Sequence, residues 1–107
     1  MMERRVHPRI TVFSKAGLRD GGEPQDILLL DMSRTGARIL LTEGRSLNLG
    51  QLIAIKLGVL PSFVGRVTRC DGRVFGIALV DKIHPSVVDS ARQYCRAGEL
   101  GDLARAS

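Results

Sequence analysis

Over several short stretches of the chain apolar residues recur at every second position, and turn-forming residues separate one stretch from the next. Ile53, Ile55 and Leu57 alternate with Leu52, Ala54 and Lys56. Successive side chains of an extended strand point to opposite faces, so this segment has one clearly apolar side. Phe63, Gly65 and Val67 repeat the pattern against Val64, Arg66 and Thr68, and Phe75, Ile77 and Leu79 form the inward set of the next segment. Between these two, Cys70-Asp71-Gly72-Arg73 predicts a tight hairpin with Asp-Gly at its centre, because a type I′ turn needs positive φ at both central residues.

Earlier in the chain, Ile10 to Phe13 opens a first strand, and Gly17 to Pro24 is a polar, glycine-rich connection. Ile27-Leu28-Leu29-Leu30 is a continuous apolar run, the mark of a strand covered on both faces or leading into a buried site. Gly36 then permits a bend into a strand over Ala37 to Thr42. About six strands with no long helix between them predict an all-β fold, a six-stranded antiparallel β-barrel whose closure removes exposed edges.

A short C-terminal α-helix is expected over about 85–97. Pro85 suits a first helical position, Val87/Val88, Ala91 and Tyr94/Cys95 fall at three-to-four spacing, and Gly98 caps the end. Its apolar stripe packs on the barrel, which makes Tyr94 and Cys95 core residues. The expected organisation is a single domain over 1–107: an N-terminal arginine segment at 1–9, the barrel at about 10–83, the helix, and a frayed tail at 99–107.

Length and composition fit this picture. A chain of 107 residues with 44% hydrophobic and 25% charged residues buries a modest core without disulfides or a metal. It has no apolar stretch near the roughly 20 residues that span a bilayer, and its N-terminus lacks the apolar segment of a signal peptide, so a cytoplasmic location is expected. Cys70 and Cys95 have no metal or redox spacing and read as reduced, buried or half-buried side chains. His7 sits beside the arginines and His84 at the helix start, and neither reads as a ligand or base.

The net charge of +5 favours an anionic partner without choosing among nucleotide, nucleic acid and acidic protein. Its distribution is more informative. Arg4, Arg5 and Arg9 stand against Glu3 alone in the first nine residues, whereas later charges are closely mixed in sign. Guanidinium forks match a phosphate or the O6/N7 edge of guanine with paired hydrogen bonds. A second group, Asp31-Met32-Ser33-Arg34-Thr35-Gly36, supplies a carboxylate that accepts from N–H groups, a hydroxyl that donates to phosphate, and a glycine that lets backbone approach a ligand.

The pattern Arg5-x-x-x-Arg9, then roughly twenty residues, then Asp31-x-Ser33-x-x-Gly36 resembles the PilZ domain family of bacterial cyclic di-GMP receptors. The resemblance continues through Gly36-Ala37-Arg38-Ile39, the turn at Gly50, Val64-Gly65-Arg66-Val67 and Gly76-Ile77-Ala78-Leu79, so it covers about residues 3–83. Thr35 stands where the family often has glycine. The resemblance implies that Arg5 and Arg9 contact guanine and phosphate of cyclic di-GMP, and that Asp31, Ser33 and Gly36 form the opposing turn. Arg4, just before the motif, is placed to stack on a base, and Arg38 is a further candidate.

The implied function is a cyclic di-GMP receptor and adaptor. Ligand binding orders the arginine segment and changes a contact with an unidentified protein effector, in control of motility, biofilm or exopolysaccharide. No other cofactor, no metal and no membrane span are expected. Catalysis is not expected either: there is no Ser/His/Asp or Cys/His set, no paired carboxylates near glycines and no Walker-type loop. Two alternatives stay open. One is a PilZ-like interaction module that needs no ligand. The other is a basic nucleic-acid-binding barrel, disfavoured because such barrels stack bases on aromatic side chains and Phe13, Phe63, Phe75 and Tyr94 fall mostly on inward faces or the helix stripe.

Overall fold

A computed structural model describes residues 9–43 and 46–94 of the chain. Six strands follow one another: β1 (Ile10–Arg19), β2 (Gln25–Met32), β3 (Gly36–Leu41), β4 (Leu52–Lys56), β5 (Phe63–Asp71) and β6 (Val74–Leu79). They close into a barrel in the order β1-β2-β3-β6-β5-β4, every neighbouring pair antiparallel. Helix α1 occupies 85–94 as far as the chain is described. Arg4, Arg5, His7, Cys95, Gly98 and the tail at 99–107 lie outside the described residues.

The alternating segments fill the barrel as their period requires. Ile53, Ile55, Phe63, Val67, Phe75 and Ile77 are all buried, as are Ile27, Leu29 and Ile39 from the facing strands. Pro85 begins α1, and His84 caps it, its Nδ1 accepting from the Ser86 amide at 3.1 Å. Val88 and Ala91 are buried against the barrel, with Val87 and Tyr94 packed beside them.

Several local expectations are corrected. β1 does not stop near Phe13 but runs to Arg19, because Ala16 and Leu18 continue the inward set and Gly17 pairs with Lys56 to close the barrel. The polar connection is therefore only 20–24. The run Ile27–Leu30 is not covered equally on both faces: Ile27 and Leu29 are buried, whereas Leu28 and Leu30 are half-buried. The β5–β6 hairpin turns on Gly72-Arg73 rather than Asp71-Gly72, since Asp71 still pairs with Val74. Of its two central residues only Gly72 has positive φ, as in a type II′ turn with glycine first. Cys70, close to this hairpin tip, is exposed rather than buried. Phe13 points outward at 53% exposure with φ of 48°, where β1 bulges against β2.

Bulges decide which face the polar residues take. Leu29 pairs with Ile39 and Asp31 with Arg38, so Leu30 is an extra residue on β2. Strict alternation would put Asp31 inside with Ile27 and Leu29. The bulge turns it outward and returns Met32 to the core, an instance of the re-aiming that bulges perform.

Candidate functional site

Asp31 lies at the end of β2, with Thr11 of β1 and Arg38 of β3 as its register partners. It is 7% exposed, and a carboxylate that deep needs partners. It has two. Arg9 Nη1 donates to Oδ1 at 2.8 Å. Arg38 donates to Oδ2 through Nε at 2.8 Å and reaches the same oxygen through Nη2 at 2.7 Å. The carboxylate thus holds two guanidinium groups side by side while each keeps unused N–H donors. The side chains of Arg9 and Arg38 are 38% and 54% exposed, so those donors face outward. The Asp31 hydrogen bond and charge raise the pKa of Arg38, fixing it as a cation.

The turn from Ser33 to Gly36 is built by Ser33. Its amide donates to the Gly36 carbonyl at 2.8 Å, and its Oγ accepts from the amides of Thr35 and Gly36, both at 3.2 Å. Both acceptor lone pairs are then in use, which leaves the O–H proton as the group able to donate. Ser33 is 4% exposed. Gly36 opens β3 after the turn without positive φ. It is glycine because of close approach: a Cβ there would sit 3.1 Å from the Ile77 carbonyl and 3.8 Å from Arg9 Nη2.

The whole turn is anchored from behind. The Leu79 amide donates to the Thr35 carbonyl at 2.9 Å, and the Ile83 amide donates to the Arg34 carbonyl at 2.8 Å. Arg34 Nε returns the bond to the Ile83 carbonyl at 2.7 Å. Arg34 therefore ties the turn to the segment that leads into α1. It was not singled out by its sequence, because neither its spacing nor its charge distinguishes it from other surface arginines.

Of the site residues expected from sequence, Arg9, Asp31, Ser33, Gly36 and Arg38 come together on one outer face of the barrel, and Arg4 and Arg5 lie outside the described residues. Beside the Asp31 cluster is a pocket of about 230 Å³, lined by Arg9, Arg38, Thr68, Arg69, Asp71 and Gly76 among others. Arg69 and Asp71 were missed, since alternation alone assigns Arg69 to the inside of β5. Among the described residues no cluster of His, Cys, Asp and Glu could hold a metal, and no helix is long and apolar enough to cross a membrane.

A closed six-stranded antiparallel barrel with a C-terminal helix, carrying an arginine–carboxylate cluster beside a serine-built turn, defines a small all-β barrel with a candidate anion site. The PilZ domain family model matches residues 3–97, and the chain belongs to that family. No curated protein sequence matches it. Among solved structures it is similar to Borreliella burgdorferi PlzA in complex with c-di-GMP, at TM-score 0.64 and 19% identity over 85% of this chain and 40% of that one. It is also similar to the Bacillus subtilis inhibitor of motility MotI/DgrA, at 0.62 and 18% over 94% of this chain and 53% of that one. The PilZ domain of Escherichia coli YcgR with c-di-GMP matches at 0.56 and 16%, over 97% of this chain and 98% of that one. Against PlzA and MotI/DgrA the chain spans about half their length or less, and identities this low speak to the fold.

Proposed function

We propose that the chain is a cyclic di-GMP receptor that acts as a cytoplasmic adaptor rather than as an enzyme. The observation that carries this reading is the Asp31 carboxylate holding Arg9 beside the Gly36 turn. A guanidinium fixed in this way loses less freedom when it meets a ligand, and its remaining donors suit a phosphate oxygen or the O6/N7 edge of guanine. Membership in the family supports the same ligand, as do the relatives solved with c-di-GMP.

On this reading Arg5 and Arg9 take guanine and phosphate, Arg4 stacks on a base, and Asp31, Ser33 and Gly36 form the opposing wall with Arg38 beside them. Several arginines in one short segment repel one another, and two ligand phosphates relieve that repulsion and order the segment. The output is a changed contact with a protein effector, in control of motility, biofilm or exopolysaccharide.

The test is isothermal titration with cyclic di-GMP at near-physiological salt, with GTP and a mixed-sequence RNA as controls. Saturable binding of cyclic di-GMP alone is expected. Arg9→Ala should lose charge-assisted bonds of about 1.5–3 kcal/mol, which is roughly tenfold to a hundredfold in affinity. Undiminished affinity in that variant excludes the site; RNA binding with a steep salt dependence selects a nucleic-acid barrel instead.

A further inference from the structure

Arg69 occupies a place that alternation along β5 denies it. Phe63, Gly65 and Val67 point inward, and the next member of that series is Arg69. However, Val67 pairs with Ile77 and Arg69 with Gly76, so Thr68 is an extra residue and the parity reverses. Arg69 is thereby turned to the outer face. On the other side of Gly76 lies Arg38, its β3 partner. Neighbouring strands lie about 4.8 Å apart, so the two arginines rise from positions about 10 Å apart with a glycine between them.

The glycine is a floor. A Cβ at Gly76 would lie 3.2 Å from Cβ of Arg69, 3.6 Å from its Cδ and 3.7 Å from its Cγ, so the Arg69 stem runs across the bare backbone of β6. Its guanidinium lines the same pocket as Arg9 and Arg38. Arg38 has committed Nε and Nη2 to Asp31. Among the described residues Arg69 has no ion pair and no hydrogen-bond acceptor. Three guanidinium groups around this pocket face two carboxylates, Asp31 and Asp71, which leaves it cationic.

We infer that Arg69 is a binding residue for a phosphodiester of the dinucleotide, gripping it across the Gly76 floor from the half held by Arg9 and Asp31. The inference rests on the cyclic di-GMP reading above and adds to it a contact from the opposite wall of the same pocket. A mononucleotide has no second phosphodiester to span that floor, so Arg69 selects for the dinucleotide.

The experiment is titration of the full chain with cyclic di-GMP, comparing wild type, Arg9→Ala, Arg69→Ala and Arg69→Gln, with thermal unfolding of each. Because Arg69 is an exposed side chain on a strand, both substitutions should leave the melting temperature near that of the wild type. Affinity should fall about tenfold to a hundredfold in both, and its salt dependence should become shallower. Arg69→Gln keeps most of the stem and drops the charge, so it carries the test if Arg69→Ala is poorly folded. Weak binding by Arg9→Ala with full-strength, equally salt-sensitive binding by Arg69→Gln overturns the role of Arg69 alone. A wild-type chain that binds no cyclic di-GMP overturns both readings.

Discussion

Asp31 divides its two oxygens between two cations, and Ser33 divides its two lone pairs between two amides, so the site is assembled from side chains used close to their full capacity. Such groups are costly to remove. In Ser33→Ala two amides in a mostly buried turn lose their acceptor, which costs about 1–3 kcal/mol. For a domain of this size that lowers the thermal midpoint by about 4 °C or more, readable by circular dichroism. An unchanged midpoint would assign the turn's stability to the Ser33–Gly36 backbone bond alone. The cation on Arg38 has a different pH signature. Its pKa is raised by the Asp31 carboxylate, so while that carboxylate is ionised the contribution persists as pH rises and is lost only in strong alkali.

Glycines in the strands divide by what stands opposite them. A Cβ on Gly65 would lie 2.6 Å from Ile77 Cγ2 and 2.7 Å from the Ala78 carbonyl, one of them backbone that cannot swing aside. Gly65→Ala should therefore destabilise by about 1–3 kcal/mol through overpacking. Gly17→Ala meets nothing nearer than the Lys56 carbonyl at 3.9 Å and should be close to neutral, a difference that urea titration of the two variants reads. The strands that sequence located well are those whose period of two persists: Ile53 to Leu57, Phe63 to Val67, and Phe75 to Ile77. Where reading failed, the cause was a residue count held by a neighbour. Alternation cannot register that β2 carries Leu30 or β5 carries Thr68 in excess of its partner, so Arg69 and Asp71 went unseen. The motif residues Arg9, Asp31, Ser33 and Gly36 were legible because their spacing is itself the signal. Arg38 was legible as the residue that follows them on β3. The extent of β1 was not, because Gly17 looks like a turn residue until β4 is placed against it.

Across the whole molecule, the helix and the barrel meet where Tyr94 lies over the β4–β5 connection. The Val59 amide donates to the Tyr94 hydroxyl at 3.0 Å. Gly58, at φ of 56°, leaves the space that the Tyr94 ring fills. Tyr94→Phe should cost about 0.5–1.5 kcal/mol, the value of one hydrogen bond. Gly58→Ala should cost more, since it strains a left-handed residue and displaces the ring as well. Equal midpoints for the two variants in thermal unfolding would show that the ring has room to move. The bulges act on the same global scale. Between the inner positions shared by three adjacent strands, β1 takes four steps from Ile10 to Ser14, β2 three from Met32 to Leu29, and β3 two from Ala37 to Ile39. For descent by insertion and deletion this makes chain length near Asp31 a matter of odd and even. Loss of one residue between Leu29 and Asp31 would reverse the facing of the carboxylate without altering a letter of its motif, so a related sequence can keep every signature residue and still have lost the site.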